Sequence, residues 1–143
     1  MDQMQLFTLG RVLGWFAAAG FLIAALNPFF KEVNKRHMAK RPKDDRLRKG
    51  YQKFLRGYLR VHPYVGMAVG ALMLTHLVIQ FRFYGFYLSG FVAGGLMLVL
   101  IGLGVYGKYV MKKKPGPWLK LHRLLSLVLI LAVAIHVVLA KVS

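Results

Sequence analysis

The sequence predicts an all-α membrane protein: one domain, residues 1–143, folded as a four-transmembrane-helix up-and-down bundle. Three observations predict it. Four apolar runs, at about 6–26, 61–81, 85–110 and 118–140, each reach the roughly 20 residues a helix needs to cross the hydrocarbon core. Hydrophobic residues make up 57% of the chain and mean hydropathy is +0.51, values of the membrane class. Apart from a basic linker at 27–60 the connections are short, which leaves no room for a soluble catalytic domain.

Charge fixes the orientation. With 21 basic and four acidic residues the net charge is +17, which in a soluble chain would suggest nucleic acid. The distribution argues otherwise. Lys31, Lys35, Arg36, Lys40, Arg41, Lys43, Arg46, Arg48, Lys49, Lys53, Arg56 and Arg60 lie in the first link and its flanks. Lys108, Lys112, Lys113, Lys114, Lys120 and Arg123 lie around the link between the third and fourth runs. Only Arg11, Arg82 and Lys141 fall toward the other face. The excess of positive charge on one side predicts an integral protein of the cell (inner) membrane, with both basic links cytoplasmic and both termini outside. Membrane lipid is the expected surrounding, and no nucleic-acid partner is expected. The chain has no cysteine, which excludes disulfides, iron–sulfur clusters and thioether-attached haem.

The first run opens after Met1-Asp2, without the basic start of a secretory signal, and reads as a retained helix ending at Asn27-Pro28. Gly10, Gly14 and Gly20 within it either let helices approach closely or make room for a flat ligand. The linker reads as polar and flexible to about Asp45. From Leu47, the apolar positions Tyr51, Phe54, Leu55, Tyr58 and Leu59 recur at helical spacing among basic residues. That pattern predicts a basic amphipathic helix lying on the inner leaflet, with docking of an acidic redox partner as the alternative. His37, among charges, reads as an ordinary solvated histidine.

The second run carries His62-Pro63 at its cytoplasmic end and His76 near its outer end. Pro63 removes an N–H, so a carbonyl at Leu59 or Tyr58 is expected to accept from the His62 ring. An aromatic outer turn, Phe81 to Tyr87, carries Arg82 and marks the interface. The third run is glycine-rich, with Gly85, Gly90, Gly94, Gly95, Gly102, Gly104 and Gly107, and holds no histidine. Pro115 and Pro117 set the start of the fourth run, Trp118 anchors it, and it carries His122 and His136.

These four histidines are the candidate site. Within each pair the spacing is fourteen residues, about four helical turns and about 21 Å along the axis. The offset of about 40° on a straight helix vanishes in a left-handed bundle repeating every 3.5 residues. Ionisable groups inside a membrane are costly and mark function by default. In an up-and-down bundle the second and fourth helices run parallel, which brings His62 level with His122 and His76 level with His136. Zinc usually takes three or four protein ligands, and each level offers two imidazoles with no carboxylate. Two six-coordinate haems stacked across the bilayer fit that arrangement, with metal transport or plain structural histidines as the other readings. Arg60, Lys120 and Arg123 are candidates for the propionates of the cytoplasmic-side haem, and Arg82, Arg11 or Lys141 for the outer one; ordinary snorkelling is the plainer account. Thr75 and Ser126 are expected to bond their own backbone.

Paired histidines with thirteen residues between them, on the second and fourth helices of a four-helix bundle, resemble the haem-binding half of respiratory cytochrome b. The segment His76 to Gly85, ending Arg82-Phe83-Tyr84-Gly85, is similar to the end of the ligand helix and the turn after it in that family. LHRLLSLVLILAVAIH also resembles the ligand helices of ferric reductase-like transmembrane proteins. The resemblance covers nearly all four runs. It implies a di-haem b-type cytochrome in which His62 and His122 are the axial ligands of one haem b, and His76 and His136 those of the second. The chain lacks the further helices of cytochrome b and the flavin and nicotinamide domain common in ferric reductases. The only acids are Asp2, Glu32, Asp44 and Asp45, so no carboxylate proton relay crosses the membrane. The expectation is an electron conduit acting with redox partner subunits. The alternatives are a cytochrome oxidoreductase acting on quinone or superoxide, and a haem or metal transporter.

Overall fold

Asp2 starts the first helix by a reciprocal cap: its carboxylate accepts from Gln5 N–H at 2.7 Å, and the Gln5 side chain accepts from Asp2 N–H at 3.1 Å. Helix α1 spans Gln3–Ala25. The computed structural model describes residues 2–112 and 114–142; Met1, Ser143 and, in the second basic link, Lys113 lie outside them. Helix α1 ends at Ala25, within two residues of the expected stop at Asn27-Pro28, but the chain does not leave helical structure there. After a single turn at Leu26 it resumes as α2, Asn27–Val33, with Pro28 in the first turn, where its missing N–H has no intrahelical partner to lose. A wide π turn follows over Asn34–Met38.

The amphipathic stretch also differs from expectation. It is no separate surface helix but the first part of α3, a continuous helix over Arg46–Tyr84 that contains Pro63 without being ended by it. Asp45 caps its start by accepting from Arg48 N–H at 2.9 Å. The physical reason for the continuity is that α1–α2 and α3 stay paired beyond the apolar runs. Tyr51 donates to the Phe30 carbonyl (2.8 Å) and Tyr58 to the Ile23 carbonyl (2.6 Å). Phe30 meets the rings of Phe54 and Tyr58 edge-on at 5.2 and 5.0 Å. The aromatic stripe from Tyr51 therefore faces α2, and the first part of the linker, up to Met38, is helical rather than flexible.

Gly85, at φ +63°, closes α3 in a conformation that only glycine adopts without strain. Helix α4 spans Leu88–Val105 and ends in a second π turn, Tyr106–Val110; α5 spans Pro117–Val142. Four helical stretches, Gln3–Met38, Arg46–Tyr84, Leu88–Val110 and Pro117–Val142, are long and apolar enough to cross a membrane. Among the described residues there is no strand.

Neighbouring helices are antiparallel. Gly10 lies against Ile79 and Gly20 against Val69; Gly70 lies against Ile101 and Gly94 against Met73; Gly107 lies against the Trp118 ring. The run is thus up, down, up, down, α1 packing on α3, α3 on α4, and α4 on α5. The basic links share one end. A belt of buried residues (Ala17, Phe21, Val69, Met73, Ala93, Met97, Leu100 and Leu129) forms the core at mid-height. Leu129 is fully buried, and most other large apolar side chains, Phe16, Val78 and Leu131 among them, face outward as a lipid-facing surface requires.

Candidate functional site

Helices α3 and α5 run parallel on opposite sides of the bundle, and each presents its two histidines inward. All four rings are partly buried, whereas His37 is exposed. His62 faces His122 with ring centres 6.4 Å apart and planes at 78°; His76 faces His136 at 6.3 Å and 76°. The levels are therefore paired as the fourteen-residue spacing implies.

The separation has a chemical meaning. A metal–imidazole bond is about 2.0 Å, and a five-membered ring with sides of about 1.35 Å has a radius of about 1.15 Å. One metal ion ligated from opposite sides would set the two ring centres about 6.3 Å apart. Edge-to-face rings also pack at about 4.5–7 Å; what these pairs add is imidazole facing imidazole at two matching levels. Among the described residues no third histidine, cysteine, aspartate or glutamate joins either pair.

Space surrounds each pair. A cleft of about 150 Å³ contains His62 and His122, walled by Phe21, Gly66, Ile101 and Gly104. A second, of about 160 Å³, contains His76 and His136, walled by Gly14, Ala18, Gly90 and Ala93. The core belt lies between them, and Met97 touches both.

Glycines set the room around the rings. A Cβ on Gly14 would lie 2.7 Å from the His76 ring, one on Gly90 3.1 Å from His136, and one on Gly104 3.5 Å from His122. Gly90 and Gly104 are themselves fourteen residues apart, the same interval as the histidines they face. The sequence contains that interval, masked by the other glycines of the third run. Gly10 and Gly20, by contrast, serve close packing of α1 on α3.

The two levels differ in how the rings are held. His76 Nδ1 lies 2.8 Å from the Gly10 carbonyl and His136 Nδ1 3.0 Å from Ser89 Oγ. With Nδ1 donating, Nε2 is free to ligate in each. His62 and His122 have buried Nδ1 atoms without a hydrogen-bond partner. The carbonyl expected from Leu59 or Tyr58 is therefore not engaged: the Tyr58 ring lies beside His62 at 6.4 Å, and its hydroxyl is committed to α1. Thr75 and Ser126 bond the Ala71 and Arg123 carbonyls of their own helix.

Of the basic residues singled out, Arg123 lines the inner cleft, joined by Lys31 and Lys108. Arg60 and Lys120 are exposed and stand outside it. Arg11 and Lys141 line the cleft of His76 and His136, and Arg82 is exposed outside it. Lys31 is a cleft residue that sequence reasoning misses, because its neighbours have the composition of a linker; α2, at the base of the extended hairpin, places it beside His62.

No family model, curated protein or solved structure matches this chain. What the clefts hold is therefore to be read from their own geometry. Each offers two opposed imidazoles one metal apart, apolar walls, and cations at its rim. A haem fits that donor set: it brings four nitrogens of its own, needs two more, and carries anionic propionates.

Proposed function

We propose that the chain is a di-haem membrane cytochrome b, an electron conduit between the two faces of the inner membrane. The observation that carries the reading is that the four histidines of the apolar helices face one another in two level pairs, with ring centres 6.4 and 6.3 Å apart. His62 and His122 would hold the haem near the basic face, and His76 and His136 the haem near the termini. Haem bound there supplies reversible one-electron chemistry with no open coordination position.

The chain's own residues do the rest. The Gly10 carbonyl and Ser89 orient the outer imidazoles, leaving Nε2 toward the cleft. Gly14, Gly90 and Gly104 leave the rings room. Leu129, Met97 and Val69 keep the middle of the bundle dry. Arg123, Lys31 and Lys108 at the inner rim, and Arg11 and Lys141 at the outer, are available to neutralise propionates. By the positive-inside rule both basic links lie on the cytoplasmic side, where soluble donors or acceptors and partner subunits reach them.

A second reading has one observation in its favour. A cleft of about 310 Å³ extends from His76 and His136 between Phe81, Tyr84 and Phe91, and Gln80 on its wall has a buried Oε1 without a partner. Those walls suit a quinol ring, which would make the protein a quinol-reactive cytochrome. Quinol-driven reduction that disappears in Gln80→Leu would favour it; reduction that survives the substitution would remove it.

The test of the main reading is the haem content and spectrum of the purified chain. Two haems per chain with a reduced-minus-oxidised spectrum of six-coordinate haem b are expected. Rings held at 78° and 76° to each other would, with haem bound between them, give strongly anisotropic low-spin EPR signals. A colourless protein after expression with ample haem would overturn the reading.

A further inference from the structure

The paired helices α1–α2 and α3 continue well past the level of His62. From Arg46 to His62 is sixteen residues of unbroken helix, roughly 24 Å. The hairpin tip, residues 39–45, is therefore carried away from the bundle on a two-helix stalk. Tyr51, Tyr58, Phe30 and Phe54 lock that stalk together, so its surface is preformed.

Its charge is one-sided. The hairpin holds twelve basic residues and three acidic ones. Each acid is already engaged locally: Glu32 with Arg36, Asp45 with Arg41 at 3.0 Å, and Asp44 with Lys49 at 3.6 Å. Nine cations, Lys53, Arg56 and Arg60 among them, have no carboxylate partner among the described residues. A helix lying flat would place such cations against anionic lipid. A stalk carries those at its tip beyond the reach of headgroup charge, since screening at physiological salt acts over about 8 Å. At its base stands His62.

We infer that this stalk is the docking surface for an acidic soluble electron carrier, held by charge rather than by a shaped pocket, and delivered to the cleft of His62 and His122. The inference rests on the di-haem reading for its purpose, though binding itself can be measured without haem. Complementary charge acts chiefly on encounter rate and is suppressed by salt.

The test uses the full chain in nanodiscs of zwitterionic lipid, with an acidic flavodoxin and a basic cytochrome c as probes. Binding of the flavodoxin should be lost about tenfold or more between 50 and 200 mM salt. It should fall comparably in the exposed charge-reversal variant Arg46→Glu/Lys53→Glu/Arg56→Glu, and the basic probe should not bind the wild type. Dithionite-reduced flavodoxin should reduce the inner haem with the same salt dependence. Flavodoxin binding that ignores salt and charge reversal, or that is no tighter than that of cytochrome c, overturns the inference. Because the chain has no cysteine, Lys43→Cys accepts a single fluorophore, and spin-labelled phosphatidylserine headgroups should leave it unquenched. Quenching as strong as at Arg60→Cys would give the tip to the membrane instead. Absence of haem with intact, salt-sensitive binding would defeat the di-haem reading and leave the docking surface standing.

Discussion

Ser89 and Gly14 show how single positions govern the outer imidazoles. A ligand ring that donates from Nδ1 is the more basic ligand and favours the oxidised metal. Ser89→Ala removes that acceptor from His136. With one hydrogen bond worth about 1 kcal/mol, the outer haem's midpoint potential should rise by on the order of 40 mV. Redox titration reads this directly, and the inner haem's potential should not move. Gly14→Leu places side-chain atoms where the His76 ring now sits. Overpacking of that kind costs about 1–3 kcal/mol, and haem quantification should show the outer haem lost and the inner kept. The four histidines are legible in the sequence because imidazoles are costly in apolar runs, and packing alone gives no reason to repeat them at a fixed interval. Gly104 and Gly90 repeat that interval and are harder to see, since glycine also serves helix contact. Arg60 and Lys120 stand outside the cleft lining, since sequence proximity to a histidine says nothing of which helix face a long side chain occupies.

At the scale of elements the hairpin α2–α3 is the least expected part. A basic amphipathic pattern reads as a surface helix, and only the partner stripe on α2, with Phe30 at its centre, converts it into a paired stalk. Tyr58→Phe removes the hydroxyl bonded to the Ile23 and Ala24 carbonyls. The loss should be about 1 kcal/mol, seen as faster amide exchange through residues 27–38 with the α4–α5 hairpin unchanged. Asp45 adds a pH dependence. Its hydrogen bond from the Arg48 backbone N–H, then that from Arg41, holds the carboxyl below the usual carboxylate range. A depressed folded value means the cap contributes above the unfolded value of about 3.9 and is lost as pH falls through the lower folded one. Exchange at the first turn of α3 should therefore be flat from neutral pH to about 5 once intrinsic rates are divided out, and rise below about 4. Asp45→Ala should show the raised exchange at every pH.

For the molecule as a whole, the four-helix plan is written in hydropathy and charge: lipid sets the length of each run, and the basic links set which side they share. What hydropathy cannot show is the mid-height belt, because core and lipid-facing leucines are chemically alike. Leu129, seven residues from both His122 and His136, is the fully buried one. Leu129→Ala should cost about 2–5 kcal/mol, lowering the melting temperature while both haems remain, since the residue separates the clefts and holds neither. The central claim is that histidines are used in level pairs, one from α3 and one from α5. Counting haems in double alanine variants tests it most directly. Replacing His62 with His122, or His76 with His136, should leave one haem per chain, whereas replacing His62 with His76 should leave none. If the same-helix variant kept a haem, or either level pair abolished both while the chain stayed folded, the level pairing would be contradicted.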